Sequence, residues 1–283
     1  TIVLYLVLYT LYEIDPELLN KITWKILLNA SEEVNSDDFA HLGKKYIDSH
    51  TRACLVFEAG NIEDDTYYFV TARKGRVVFS INVKGISAHA GVDHKNGISA
   101  VVCLSDMITR IHHLNDYAKD VTINIGFMNG GESLNRVPDY AEASGEIRAY
   151  NNENIDEVIE HIEKIAMEME STYKGSSVDF CIERNVPCWS DNEKSEALLQ
   201  WWKQAGKKLG FTICKEKRGG LSDGNYFYHL VPTIDGLGPS GAYAHCSVHN
   251  ESENKFQEYV DEPSIIQKTI LNCYSLYIFI KDL

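Results

Sequence analysis

Positive charge is scarce in this sequence. Lysine and arginine total 27 against 41 aspartates and glutamates, a formal net charge of -14 over 283 residues. Nucleic-acid binding needs basic surface to neutralise phosphates, so the balance argues against that class of partner. Anionic membrane surfaces are an equally poor match. Paired cysteines are missing as well. The seven cysteines, at 54, 103, 181, 188, 214, 246 and 273, are odd in number, and none stands in a CxxC spacing. A disulfide framework and a structural zinc knuckle are disfavoured, and a reducing compartment, the cytoplasm, is expected. The apolar start, Thr1 to Tyr9, has no basic flank and no small-residue cleavage site, and it is too short to span a bilayer. It reads as a buried helix. There is no initiator methionine, and a core helix at residue 1 is an odd beginning, so a fragment or processed chain is expected.

What is present is an ordinary globular composition, 44% hydrophobic and 24% charged, in a chain long enough for one large or two modest domains. Residues 1–75 read as α/β: a helix through about Tyr12, a turn at Asp15-Pro16, a buried strand from Ile22 to Leu28, a helix-prone stretch from Ser36 to His50, and strands at Cys54–Phe57 and Tyr67–Ala72. The middle changes rhythm. Phe79, Ile81 and Val83 alternate with polar residues, as do Val121, Ile123, Ile125 and Phe127, and Val178, Phe180 and Ile182; that is the period of half-buried strands. Ile98, Val101, Leu104, Ile108 and Ile111 recur at helical spacing. Tyr140 to Arg148 predicts a further strand, and Asn154 with Glu157 a capping box that opens a second helix. The order β-α-β-β-α-β is the ferredoxin-like split unit. After Pro187 the α/β rhythm returns, with a helix from Ala197 to Leu209, a strand at Phe211–Cys214, a helix from Ser222 to Leu230, a strand at Val231–Ile234 and a final apolar helix near Pro263. The simplest assembly is an α/β domain built from 1–75 and 188–283, with 76–187 inserted.

Chemistry concentrates at strand ends. Ser31-Glu32-Glu33-Val34-Asn35-Ser36 puts two adjacent carboxylates just beyond the expected strand Ile22–Leu28, where ligands bind in open α/β sheets. Such a pair suits one carboxylate binding a metal while its neighbour moves a proton. Gly238 to His245 follows the strand at 231–234 and ends in a possible imidazole ligand. His94, His249 and the His112-His113 pair lie in no motif and are taken as surface or packing residues.

Four blocks then stand in a recognisable order: SEEVNS at 31–36, GISAHAG at 85–91, GGESLNRVPDYAEASGEIR at 130–148, and GGLSDGNYF with GLGPSGAYAH at 219–245. They resemble the co-catalytic zinc metallopeptidase family of glutamate carboxypeptidases, aminoacylases, acetylornithine deacetylases and succinyl-diaminopimelate desuccinylases, with a carboxypeptidase G-like flavour. The resemblance implies a zinc-peptidase-like catalytic domain, incomplete at its N-terminus, with an inserted ferredoxin-like lid through which the protein forms a homodimer. It implies Glu32 as general base on a metal-bound water, whose pKa zinc lowers toward about 7. Glu33 and His245 would hold one zinc and Glu58 the second. His89 would come from the partner subunit and stabilise the oxyanion. Asn135 and Arg148 would hold the carboxylate of a peptide or N-acyl amino acid substrate, Arg by its planar fork. The family's His-x-Asp histidine and its bridging aspartate precede the Glu-Glu pair, and neither occurs upstream of Ser31, where Asp15 is the only aspartate. Zinc binding is therefore expected to be weak or absent in this chain. The alternative is a non-catalytic remnant that dimerises and at most binds carboxylate ligands.

Overall fold

A computed structural model describes residues 1–33, 36–247 and 256–283. In chain order the helices are α1 (Ile2–Ile14), α2 (Pro16–Leu19), α3 (Asp37–Lys44), α4 (Ala100–His112), α5 (Asn152–Thr172), α6 (Glu193–Leu209) and α7 (Glu262–Asp282). The strands are β1 (Cys54–Leu55), β2 (Asn61–Glu63), β3 (Thr66–Arg73), β4 (Gly75–Lys84), β5 (Thr122–Gly130), β6 (Tyr140–Ala149), β7 (Ser177–Val186), β8 (Thr212–Arg218), β9 (Thr233–Ile234), β10 (Gly241–Ala242) and β11 (Tyr259–Val260). The chain divides into two compact units, one made of Thr1–Arg73 with Trp189–Leu283 and the other of Lys74–Cys188.

In the first unit, Val3, Val7 and Leu11 repeat every fourth residue and bury one face of α1. They share a core with Phe69 of β3, Leu199 and Trp202 of α6, and Leu271 and Leu276 of α7. Strands β2, β3 and β8 form one sheet, with β3 and β8 parallel. β1 and β9 pair in parallel, Cys54 opposite Thr233 and Leu55 opposite Ile234. A bridge between Val70 and Asp235 ties β3 to the end of β9. Helix α6 stops at Gly210, whose φ of 82° is the left-handed conformation that glycine adopts without strain.

Three expectations fail in this unit. The segment from Ile22 to Leu28 alternates in burial but pairs with no described strand, so it is extended chain, and Ile26 and Leu28 are exposed. Alternation shows a pleated backbone; a strand also needs a ladder partner. The helix expected over Ser222–Leu230 shrinks to a single 3₁₀ turn at Asp223–Tyr226, held by a reciprocal cap between Ser222 and Asn225. Helix α7 is not simply apolar, for Ser264, Lys268, Asn272 and Ser275 are all fully buried.

The second unit is a four-stranded antiparallel sheet in the order β5-β6-β4-β7, with α4 and α5 packed on it. Taken in sequence its elements run β-α-β-β-α-β. Val77, Phe79, Ile81 and Val83 of β4 face the helices, as do Ala141, Ala143 and Ile147 of β6. The intervening residues of both strands point to the other face. Helix α5 is capped by Asn151, whose side chain accepts the Asn154 N–H, and not by Asn154. The true cap lies three residues upstream because Asn151 is the one with extended backbone. No helix among the described residues is long and apolar enough to cross a membrane.

Candidate active site

The first unit gathers acidic residues at the C-terminal ends of its short parallel strands. Glu58 lies beyond β1, and Asp235 follows β9 directly. Glu32 and Glu33 lie beyond the extended segment at 22–28, and Asp223 opens the 3₁₀ turn. Asp235 is wholly buried and paired with Arg73, the last residue of β3. Arg73 donates from Nε at 2.9 Å and from Nη2 at 2.8 Å to the same Oδ2. Its Nη1 donates to the carbonyls of Gly220 at 2.9 Å and Leu221 at 3.1 Å. One guanidinium therefore fixes both Asp235 and the glycine-rich loop that leads to Asp223. A buried ion pair is tolerable only when its remaining donors are satisfied, and the loop carbonyls do that.

Asn29 organises the opposite side. Its amide donates to both oxygens of Asp223, at 3.0 and 3.1 Å, and to Ser36 Oγ at 2.8 Å. Its Oδ1 accepts the Ser31 N–H at 2.9 Å, which fixes the turn entering Glu32-Glu33.

The electrostatics follow from this crowding. Burial, then the charge of Asp235 and of Glu32, pushes the Glu58 carboxyl up to about 7, with Arg73 pulling the other way. Burial, then Asp223 and Glu33, raises Glu32. Burial also raises Asp223, against the hydrogen bonds from Ser36 and Asn29. Carboxyls that share one field do not all ionise together near neutrality. A carboxyl that exchanges its proton near pH 7 is suited to general acid–base work.

Glu33 and His245 come together at the edge of this group. His245 Nε2 is 3.8 Å from Glu33 Oε2, and both side chains are exposed. His245 has the left-handed φ of 66°, and its N–H donates to Glu258 at 3.2 Å. Carboxylate and imidazole are apt donors for zinc. Among the described residues, however, no three His, Cys, Asp or Glu side chains converge on a point where a metal ion could sit. A catalytic zinc uses three protein ligands, and the side chains gathered among the described residues fall short of that set. Val34 and Asn35 of the SEEVNS block, and His249, lie outside the described residues.

In the second unit, His89 and Asn135 are neighbours. The Ala90 N–H donates to the Asn135 carbonyl at 2.9 Å, and His89 bridges to Arg136. The ring of His89 is set by its own loop. Its Nδ1 accepts the N–H groups of Gly91 at 3.1 Å and Val92 at 3.2 Å. A neutral ring that accepts at Nδ1 carries its proton on Nε2. The exposed edge of His89 is therefore a hydrogen-bond donor. Arg148 lies elsewhere. Asn135 sits in the loop just before Tyr140, at the start of β6, whereas Arg148 is near that strand's far end, opposite Arg76 and Thr122. The eight residue steps of antiparallel strand from Tyr140 to Arg148 span about 27 Å. The guanidinium of Arg148 is paired with Glu146, from Nε at 2.7 Å and Nη2 at 3.2 Å. One copy of the unit therefore does not bring Arg148 to the same spot as His89 and Asn135.

Asp223, Asp235, Arg73 and Asn29 received no role from the sequence. A signal existed for two of them. Asp235 follows an apolar strand just as Glu58 does, and Asp223 sits in a Gly-Gly-Leu-Ser-Asp turn. Nothing local marks Arg73, whose partner is 162 positions away.

Residues 71–174 match the peptidase dimerisation domain of the M20 family. The chain is 27% identical over 192 residues to carboxypeptidase G2 from Pseudomonas sp. strain RS-16, covering 66% of this chain and 45% of that protein. It is 24% identical over 159 residues to N-acetylcysteine deacetylase of Bacillus subtilis, covering 54% of this chain and 40% of the relative. The chain thus spans less than half the length of these two relatives. Among solved structures, a putative aminohydrolase from methicillin-resistant Staphylococcus aureus superposes with a TM-score of 0.73 at 17% identity, covering 95% of this chain and 70% of that one. A dinuclear metal-binding M20 peptidase from Bacillus subtilis superposes at 0.66 and 17% identity, covering 89% and 64%. The mixed α/β fold with an inserted dimerisation domain is the fold of these structures.

Proposed function

We infer, for a chain that belongs to the M20 peptidase family, that the protein takes part in hydrolysing an amide bond next to a free carboxylate. The observation that carries the reading is the approach of Glu33 to His245 beside Glu32 and Glu58, whose carboxyls burial and neighbouring carboxylates raise above their ordinary range. Glu32 takes the proton of the attacking water and returns it to the leaving amine. Burial and the charges of Asp223 and Glu33 raise its affinity for protons, which favours a carboxyl that must accept a proton and then give it up. His89 presents its Nε2–H to the oxyanion of the tetrahedral intermediate; a fixed donor of this kind contributes about 3 kcal/mol of barrier lowering. Asn135 and Arg148 recognise the substrate carboxylate. Their separation along β6 fits a homodimer in which the two protomers contribute different members of this set. Glu33, His245 and Glu58 are the chain's donors toward zinc, with the remaining ligands supplied from outside the set gathered in this chain.

The test is hydrolysis of an N-acyl glutamate against the same compound with its α-carboxylate amidated. The free acid is expected to turn over and the amide not; equal rates would refute the carboxylate requirement. A second reading, a dimerising protein without catalysis, is favoured by the lack of a third ligand beside Glu33 and His245 among the described residues. A folded dimer that shows no turnover with zinc supplied would decide for it.

A further inference from the structure

One face of α7 is polar and fully buried. Ser264, Lys268 and Asn272 recur every fourth residue and so line up along the helix. Each is bonded to the main chain of residues 236–240. Lys268 Nζ donates to the Gly236 carbonyl at 2.8 Å, and Asn272 Nδ2 to the Leu237 carbonyl at 2.9 Å. The Ser240 N–H donates to Ser264 Oγ at 2.8 Å. Asn272 is oriented in turn by the indole N–H of Trp202, 2.8 Å from its Oδ1. The Lys268 ammonium also lies 4.3 Å from the centre of the Phe69 ring. Lysine is almost never fully buried, and burying it costs free energy that an apolar residue would not.

The gripped segment is bonded on its other side to the chain that carries Glu58. Leu237 N–H donates to Val56 at 3.2 Å, Gly238 N–H to the Glu58 carbonyl at 2.8 Å, and Gly60 N–H to the Pro239 carbonyl at 3.0 Å. There is no slack between the layers. A Cβ on Gly238 would lie 2.5 Å from the Glu58 carbonyl oxygen, and one on Gly60 only 2.3 Å from both the Gly236 oxygen and Lys268 Nζ. The same segment begins immediately after Asp235 and runs on toward His245.

We propose that Lys268 is a positioning residue for the candidate active site. With Ser264 and Asn272 it holds the Gly236–Ser240 segment, and through that segment the backbone of Glu58, in one arrangement. What Glu58 does rests on the function proposed above; how its backbone is held does not.

Amide hydrogen exchange on the full chain tests this directly. Lys268→Met keeps the bulk and removes the donor. Exchange at Gly60 and Gly238 is expected to accelerate about tenfold or more, with Val7 inside α1 unchanged. No acceleration at the two glycines, or equal acceleration throughout the unit, overturns the proposal. In preparations that turn over substrate, kcat is expected to fall about tenfold with KM unchanged, because misplacement acts on the reacting geometry; an unchanged kcat also overturns it. If the wild-type protein is inactive, the functional reading fails while the exchange measurement still decides this one. If Lys268→Met does not fold, the milder Ser264→Ala serves. It should accelerate exchange at Ser240 and Gly60, and unchanged exchange there overturns the proposal.

Discussion

Glu58 shows most clearly what single residues do in this molecule. Its carboxyl is pushed up to about 7 from the ordinary 4.5 by burial and by neighbouring carboxylates. The folded state therefore holds a proton that the unfolded state has already released, and between those two values stability falls as pH rises. The full shift corresponds to about 3 kcal/mol, and partial solvent access reduces that to about 1–2 kcal/mol. Glu58→Gln should abolish this loss, so that the variant is more stable than wild type at pH 8 and nearly equal at pH 4.5. Urea denaturation at the two pH values reads it directly, and parallel stability curves would contradict the assignment. Arg73 gives a contrast in kind. Removing one partner of the buried Arg73–Asp235 pair leaves an uncompensated charge, so Arg73→Ala should cost about 3–5 kcal/mol. The exposed Arg110–Glu168 pair should cost under about 1 kcal/mol when cut by Arg110→Ala. Equal losses in the two variants would show that burial is not what sets the value of the Arg73 pair.

At the scale of elements, α5 offers a clean test of its start. Asn151 accepts the Asn154 N–H at 2.8 Å, so Asn151→Ala should cost about 1 kcal/mol. Asn154→Ala, at the position the sequence favours as the cap, should cost little, and thermal denaturation of both separates the two positions. The misplacement is instructive. Periodicity locates a helix by its buried face, whereas the cap depends on the backbone angle of one residue, which the pattern does not encode. The strands and helices of the insert were legible for that reason: Phe79, Ile81 and Val83, and Leu104 and Ile111, are buried with the periods they display. The segment from Ile22 to Leu28 misled because alternation cannot reveal whether a pairing strand exists. Helix α7 misled because its polar residues, Ser264, Lys268 and Asn272, mark a buried face that grips a distant loop. In the site, motifs pointed to Glu32, Glu33 and His245. Arg73, which tunes the group through its pairing with Asp235 162 positions away, leaves no local trace.

At the scale of the whole molecule, two compact units and a large negative charge set the behaviour. The insert matches a dimerisation domain, and a homodimer is the proposed assembly. Each copy carries a formal charge of -14, so association brings like charges together, and salt screens that repulsion within about 10 Å at 0.1 M. Dimerisation should therefore tighten as ionic strength rises from about 0.01 to 0.2 M. Sedimentation velocity at both conditions reads the change, and a dimer that weakens with salt would mean that complementary charges, not apolar contacts, hold it.

The central claim is that Glu32 moves a proton while Glu33 and His245 serve as donors to a metal. Turnover and bound zinc, measured on the same preparations of wild type, Glu32→Gln and His245→Ala, test it most directly. The account predicts that Glu32→Gln lowers kcat by about 10²–10⁴-fold with zinc content unchanged, and that His245→Ala loses the zinc itself. Zinc lost with Glu32→Gln and no separate effect on turnover, or zinc fully retained without His245, would contradict it.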